Sequence, residues 1–346
     1  MSFTTLGAMR SVRPRRTNLA LLIALAIAFA TGIGAVASGT SSGRWVVLTH
    51  GGAGVAVALL SPWKSRIIRR GLKRERRGRW ASLALAAIVS FALFTGIGYA
   101  SGLVMSIGGV PGMWLHVASA LAAAPVIVWH VAARPARPRR TDVSRRALLR
   151  TGVLTASAAG IYVASKAIVQ VAGLPGRDRR FSGSYETGSF DPESMPSTIW
   201  LNDKRPDVDP ISWRLQVVDW TGEYELSLEE LVADQEQVRA TLDCTSGWYA
   251  TQDWTGVPVR TLIRSTGDAR SLRVTSLTGY WVRFPVGDLP HLLLATGVGG
   301  APLSGGHGFP LRLVAPGRRG YWWTKWVRRI ELETTPWWWQ PPFPLT

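Results

Sequence analysis

Five apolar runs, at 18–39, 45–63, 80–103, 113–133 and 151–173, constrain this chain more than any other feature. Each holds close to the ~20 residues needed to cross about 30 Å of hydrocarbon. In that medium every backbone N–H and C=O must be satisfied within the segment, which a helix does by itself. The second run is the shortest and carries Ser61 and Pro62 near its end. Short loops between the runs favour antiparallel neighbours. From residue 174 the chain turns rich in Trp, Pro and Gly, with charges of both signs. The expectation is a membrane all-α bundle of about five transmembrane helices followed by a soluble α+β domain.

A net charge of +18 raises the question of nucleic acid, and its distribution answers it. Twenty Lys and Arg lie in 10–16, 64–79 and 134–150, while residues 174–346 carry 18 basic and 20 acidic residues. A nucleic-acid binder concentrates its cations on the docking domain. Here they fill loops between apolar runs, where they set topology. The alternate loops, 40–44 and 104–112, hold only Arg44. All three basic segments fall on one side, which is therefore expected to be cytoplasmic, and an odd number of spans places the soluble domain outside. The chain then divides into a cytoplasmic basic arm (1–17), a four-helix membrane domain (18–133), and a basic loop with the fifth span (134–173). A linker (174–196) and an extracytoplasmic domain (197–346) follow.

The first four spans read as a duplicated hairpin. Thr31-Gly32-Ile33-Gly34 recurs as Thr95-Gly96-Ile97-Gly98, and His50 and Trp63 recur as His116 and Trp129. Each hairpin thus offers one His near the outer end of its second helix. Polar ligating residues inside a membrane are functional candidates, and two facing imidazoles are what a six-coordinate haem iron needs. Gly51, Gly52 and Gly54 would leave room for a porphyrin face. The other reading makes both histidines interfacial residues near the water boundary. His130 lies fourteen residues after His116, a spacing that resembles two-haem cytochrome b helices. Its counterpart in the second span is Lys64, so one b-type haem is expected, with His130 at the interface.

The fifth span opens on Ser144-Arg145-Arg146-Ala147-Leu148-Leu149-Arg150. This resembles an internal twin-arginine export signal; further cytoplasmic positive charge is the plainer alternative. Beyond the linker, strand-like runs at 213–218, 239–242, 272–276, 280–284, 312–314 and 325–332 alternate with turn residues. Ser227 is expected to cap a short helix over 228–234, and a second should follow Pro258 and end near Ser265.

Two segments of this domain carry chemistry. The first is Leu242-Asp243-Cys244-Thr245-Ser246-Gly247-Trp248, then Trp254-Thr255-Gly256-Val257-Pro258-Val259. The second is Gly306-His307-Gly308-Phe309-Pro310-Leu311-Arg312-Leu313, then Pro316-Gly317, Gly320 and Lys325-Trp326. Cys244 is the chain's one cysteine, which rules out a disulfide within the chain. A thiolate is a soft ligand suited to a metal that changes redox state, whereas an unremarkable lone Cys is a small buried apolar residue. His307, Arg312 and Lys325 supply donors and charge, and Gly306 and Gly308 permit close backbone approach.

In order and separation, along 197–335, the paired segments resemble the molybdopterin-binding domain of the sulfite oxidase family. The resemblance implies that Cys244 binds molybdenum. It assigns His307, Arg312 and Lys325 to pterin and phosphate contacts, with Asn202 as a weaker candidate and Tyr280 as a possible catalytic group. It also implies a molybdenum-dependent oxidoreductase exchanging two electrons and an oxygen atom with a small-molecule substrate. Electrons would pass through the haem between that centre and a quinone or a redox-protein partner. One departure stands out. Sulfite-oxidising members have arginines soon after the metal-binding Cys, and here no basic residue follows until Arg260. Trp248, Tyr249 and Tyr280 would instead make an aromatic wall suited to a neutral organic molecule, with Arg260 or Arg283 as the cations able to reach in. The tail, with Trp337, Trp338 and Trp339, either seats the domain on the bilayer or packs on its own surface. The main alternative to an enzyme is a binding or assembly module that keeps the fold on a membrane anchor.

Overall fold

The computed structural model describes residues 14–37, 40, 42–72, 79–133, 142, 144–199 and 203–341. They form two compact units, a helical one ending at Phe181 and a sheet-rich one from Ser182 onward.

The helical unit contains α1 (Pro14–Ala37), α2 (Gly43–Leu72), α3 (Arg79–Ser101), α4 (Gly112–Ala133) and α5 (Arg145–Val171). All five are long and apolar enough to cross a membrane. Their outward faces fit that medium: Ile23, Phe94, Ile97, Leu121, Val128 and Leu148 are exposed, a pattern that marks an apolar surrounding. Inside, Leu21, Ala24 and Val57 form a small buried cluster joining α1 to α2, with Val89 and Leu93 of α3 against it. Strands β1 (Ser106–Ile107) and β2 (Val110–Pro111) close the α3–α4 connection as a hairpin. Ser144 is the N-cap of α5, its hydroxyl accepting from the Ala147 N–H at 3.3 Å. The Arg145-Arg146 pair therefore lies in the first turn of a helix.

In the sheet-rich unit the strands are β3 (Tyr185–Glu186), β4 (Arg214–Asp219), β5 (Gly222–Ser227), β6 (Glu236–Asp243), β7 (Trp248–Pro258) and β8 (Ser271–Ser276). They continue as β9 (Trp281–Pro285), β10 (Leu293–Val298), β11 (Ala301–Pro302), β12 (Arg312–Val314) and β13 (Val327–Glu333). One sheet runs β11-β10-β7-β3, with β6 paired to β7 and β12 to β10; the other runs β5-β4-β13-β8-β9. Helix α6 (Leu228–Ala233) starts on the expected Ser227 cap, completed by Glu230 as a capping box. Helix α7 (Val259–Leu262) follows Pro258 but stops at one turn. Strand β10 escapes an alternation reading because it is buried at every position, whereas β7 alternates until its last three residues, which are all buried.

Residues 182–196, expected to be linker, join this unit. Tyr185 pairs in parallel with Trp248, Ser184 is fully buried and Met195 nearly so. The common core is built on Trp254, Trp323, Phe284, Leu215, Leu294 and Ile330, all fully buried or nearly so.

Candidate active site

The β6–β7 hairpin turn presents Cys244. Its N–H donates to the Trp248 carbonyl at 2.8 Å, and Gly247 closes the turn at φ +101°, a value that favours glycine. The sulfur lies at a cleft and contacts the Ser246 hydroxyl at 3.0 Å. Behind the turn is a buried ion pair. Arg319 Nη1 lies 3.4 Å from Asp243 Oδ1, and both side chains are 3 % exposed. Arg319 Nη2 donates to the Cys244 carbonyl at 3.0 Å, and Ser184 Oγ donates to Asp243 at 2.6 Å. This clamp on the metal-ligand candidate escaped the sequence reading. Its only trace there was an Arg-Arg pair in the 316–320 segment.

Two cations face the same cleft. Arg312, on β12, is buried beside the rings of Trp254 and Trp323, whose centroids lie 5.4 and 5.9 Å from its guanidinium carbon. Its Nη1 donates to the His307 carbonyl at 3.0 Å, while Nε has no partner. Burial lowers its pKa to about 10, and the charge of Cys244 opposes that fall. Lys325 Nζ is held by the carbonyls of Gly306 and Thr198 at 2.6 and 2.9 Å. Burial and then repulsion from Arg312 lower its pKa to about 7, against attraction from Cys244 and Asp203.

The cleft is aromatic, as expected, but with other members. Trp248 and Tyr280 line it together with Tyr321, Trp323 and Trp326, and Tyr249 does not. The Tyr280 hydroxyl donates to the Tyr321 carbonyl, and burial raises its pKa well above the ordinary value. Arg260 and Arg283 do not reach the cleft. Arg260 pairs with Glu236 at 2.9 Å, and Arg283 with Glu333 at 2.5 Å. The basic residues near the sulfur come instead from β12 and the segment before β13. Asp203, which accepts from Thr278 at 3.1 Å, adds a carboxylate that sequence reasoning passed over.

His307 is held within the protein by its ring. Its Nε2 faces the Met195 carbonyl at 3.0 Å and its Nδ1 the Ser304 hydroxyl at 3.0 Å, so both ring nitrogens are engaged by the protein. Burial lowers its pKa, in keeping with a neutral ring that donates once and accepts once. It meets the site through its carbonyl, by way of Arg312. The flanking glycines also serve the protein's own packing. A Cβ on Gly306 would lie 2.8 Å from Ser197 Oγ. One on Gly308, at φ +114°, would lie 3.1 Å from Arg312 Cβ. Asn202 lies outside the described residues.

In the helical unit the duplication reappears atom by atom. Thr31 Oγ1 donates to Ile27 O at 2.6 Å and Thr95 Oγ1 to Phe91 O at 2.8 Å. His50 Nδ1 donates to Ala28 O and His116 Nδ1 to Ala92 O, each at 2.8 Å. Gly32 and Gly96 give the two rings room, since an added Cβ would meet His50 at 3.3 Å and His116 at 2.8 Å. The imidazole centroids are 5.9 Å apart with planes at 86°. That separation would allow both imidazoles to hold one metal ion. With Nδ1 of each ring committed to a carbonyl, Nε2 is the nitrogen that a metal would take. Of the three glycines beside His50, Gly52 is open, Gly54 touches Leu93 at 4.0 Å, and Gly51 gives its space to the Tyr162 ring of α5.

Residues 202–339 match the family model described as oxidoreductase molybdopterin binding domain. Among curated relatives, the catalytic subunit MsrP of the protein-methionine-sulfoxide reductase of Xanthomonas axonopodis pv. citri is 33% identical over 170 residues. That match covers 41% of this chain and 49% of the relative. The mitochondrial sulfite oxidase of Rattus norvegicus is 27% identical over 168 residues, covering 37% of this chain and 30% of the relative. The chain thus spans about half of the first relative and under a third of the second. Among solved structures, the sulfane dehydrogenase SoxCD from Paracoccus pantotrophus matches with 22% identity and a TM-score of 0.36. The match covers 38% of this chain and 40% of that one. The sheet-rich unit is thus similar to the oxidoreductase molybdopterin binding domain over residues 202–339 and follows five apolar helices in the same chain.

Proposed function

We propose that this chain is a membrane-anchored molybdenum-dependent oxidoreductase that moves an oxygen atom and two electrons at Cys244, with a b-type haem between His50 and His116 as electron relay. The observation that carries the reading is Arg312. It is a buried guanidinium beside two indoles, with Nε unpartnered, facing the same cleft as a cysteine sulfur. A buried cation without a carboxylate is costly. An anionic pterin and its phosphate would supply that countercharge, and Lys325 is suited to the same edge. The residues therefore fit the group. When bound, molybdopterin supplies the redox change and the oxygen exchange.

The protein's own part is binding and orientation. Cys244 offers the thiolate from a turn clamped by Arg319, Asp243 and Ser184. Ser246 lies 3.0 Å from the sulfur, close enough for its hydroxyl to donate to it. Tyr280, its proton held toward the Tyr321 carbonyl, walls the cleft and stays neutral. Trp248, Tyr321 and Trp326 give the remaining wall an apolar, polarisable surface that suits a small neutral molecule. The names of the relatives concern a sulfoxide and sulfite. A neutral sulfoxide is the substrate class that best fits an aromatic wall whose cations are taken by the cofactor.

The basic segments place the helix ends that carry them on the cytoplasmic side, and an odd number of spans puts the sheet-rich unit outside. The electron partner is a quinone or a redox protein. The test is molybdenum and iron content per chain after purification in mild detergent from a cofactor-competent host. About one of each is expected; molybdenum alone removes the haem, and neither metal in folded protein removes the oxidoreductase.

A further inference from the structure

The rule that sets topology accounts for the basic residues at one end of the helical unit and leaves three cations at the other end unexplained. Arg44 opens α2, Lys166 lies in the last third of α5, and Arg179 follows α5 closely. By chain direction, all three lie at the end opposite the loops rich in Lys and Arg. Arg44 and Arg179 stand near enough to Lys166 for their charges to act on it. Among the described residues, none of the three has an ion-pair or hydrogen-bond partner, whereas the neighbouring Arg177 is paired with Asp178 at 3.1 Å. Like charges gathered at the border of an apolar medium repel strongly and persist there for a function.

Their position relates them to the histidine pair. The Tyr162 ring of α5 fills the space at Gly51, the residue next to His50. Lys166 is four residues further on the same face, about 6 Å closer to the helix end. Arg44 precedes His50 by six residues, about 9 Å along α2 toward the same end. By axial level, Arg44 and Lys166 therefore lie between the two imidazoles and the outer helix ends. We infer that Arg44, Lys166 and Arg179 hold the carboxylate edge of a porphyrin bound between His50 and His116, fixing which edge faces the water. The inference rests on the haem reading above. The same oxyanion chemistry is available from a lipid headgroup, and the test separates the two.

The full chain, freed of haem and kept in detergent, is titrated with iron protoporphyrin IX and with its dimethyl ester, following the bis-imidazole absorption spectrum. The wild type should bind the free acid about tenfold more tightly than the ester. Lys166→Met/Arg179→Met should bring the ratio close to one without changing the spectrum or the ester affinity, and Lys166→Arg should keep the preference. Equal wild-type affinity for acid and ester would overturn the clamp while leaving the haem. A preference that survives in the double variant would do the same, assigning the cations to lipid headgroups. Failure of either porphyrin to bind, or a spectrum indifferent to His50→Ala and His116→Ala, would remove the haem reading and the inference with it.

Discussion

The two units carry their candidate sites in opposite ways. In the helical unit the site is sparse: two imidazoles, each tied to one backbone carbonyl, repeated by duplication in an otherwise apolar interior. In the sheet-rich unit the site is dense. A thiol, two buried cations and a buried ion pair converge from the β6–β7 turn, β12 and the loops on either side of it. The difference follows from the solvent each unit faces. Lipid leaves no water to satisfy stray polar groups, so an intramembrane site has few of them, each with its partner. A domain in water can assemble many polar groups and satisfy each through long-range contacts.

The contrast can be tested from the strongest effect downward. Replacing Cys244 with Ser should abolish turnover while leaving the haem spectrum intact. Retained function would favour the binding-module alternative instead. His116→Ala should remove the haem band and leave molybdenum content near the wild-type value. Loss of both metals together would show that the two sites do not act independently. Asp243→Asn, which leaves Arg319 buried without its carboxylate, should cost about 3 kcal/mol in the unfolding of the sheet-rich unit. A change below about 0.5 kcal/mol would mean that the carbonyls around Arg319 suffice.

Arg312→Met should lower cofactor retention roughly ten- to hundredfold. It should also leave the cofactor-free protein as stable as the wild type or more so, because an uncompensated buried charge is lost. Lower stability of that form would assign Arg312 to packing. A further effect is a pH slope. The folded-state pKa of Lys325 is lowered to about 7 from 10.5, so between those values the unfolded chain holds more protons. Stability of the cofactor-free protein should therefore rise with pH across that window, and Lys325→Met should flatten the rise. Equal slopes in the two proteins would show that Lys325 is solvated.

How much of this was legible in the sequence differed between the units for the same physical reason. The repeated Thr-Gly-Ile-Gly already paired His50 with His116, which the structure brings together, because a duplicated helix repeats its local neighbours. The structure added the partners Ala28 and Ala92 and gave Gly51 to Tyr162, an assignment no hydropathy pattern contains. In the sheet-rich unit the motif located Cys244, Arg312 and Lys325. The polar wiring around them was not legible. His307 turned its ring to Met195 and Ser304, Arg319 came to lie behind the metal-ligand candidate, and Arg260 and Arg283 went to the carboxylates of Glu236 and Glu333.

The sequence by itself determined the five apolar helices, their duplicated hairpins, the one cysteine and the order of the two site-bearing segments. Each of these is a matter of composition, period or spacing along the chain. Only the tertiary structure decided which buried polar group satisfies which. Met195 and His307, or Arg319 and the Cys244 carbonyl, lie 112 and 75 residues apart, and sheet register brings them together rather than any local preference.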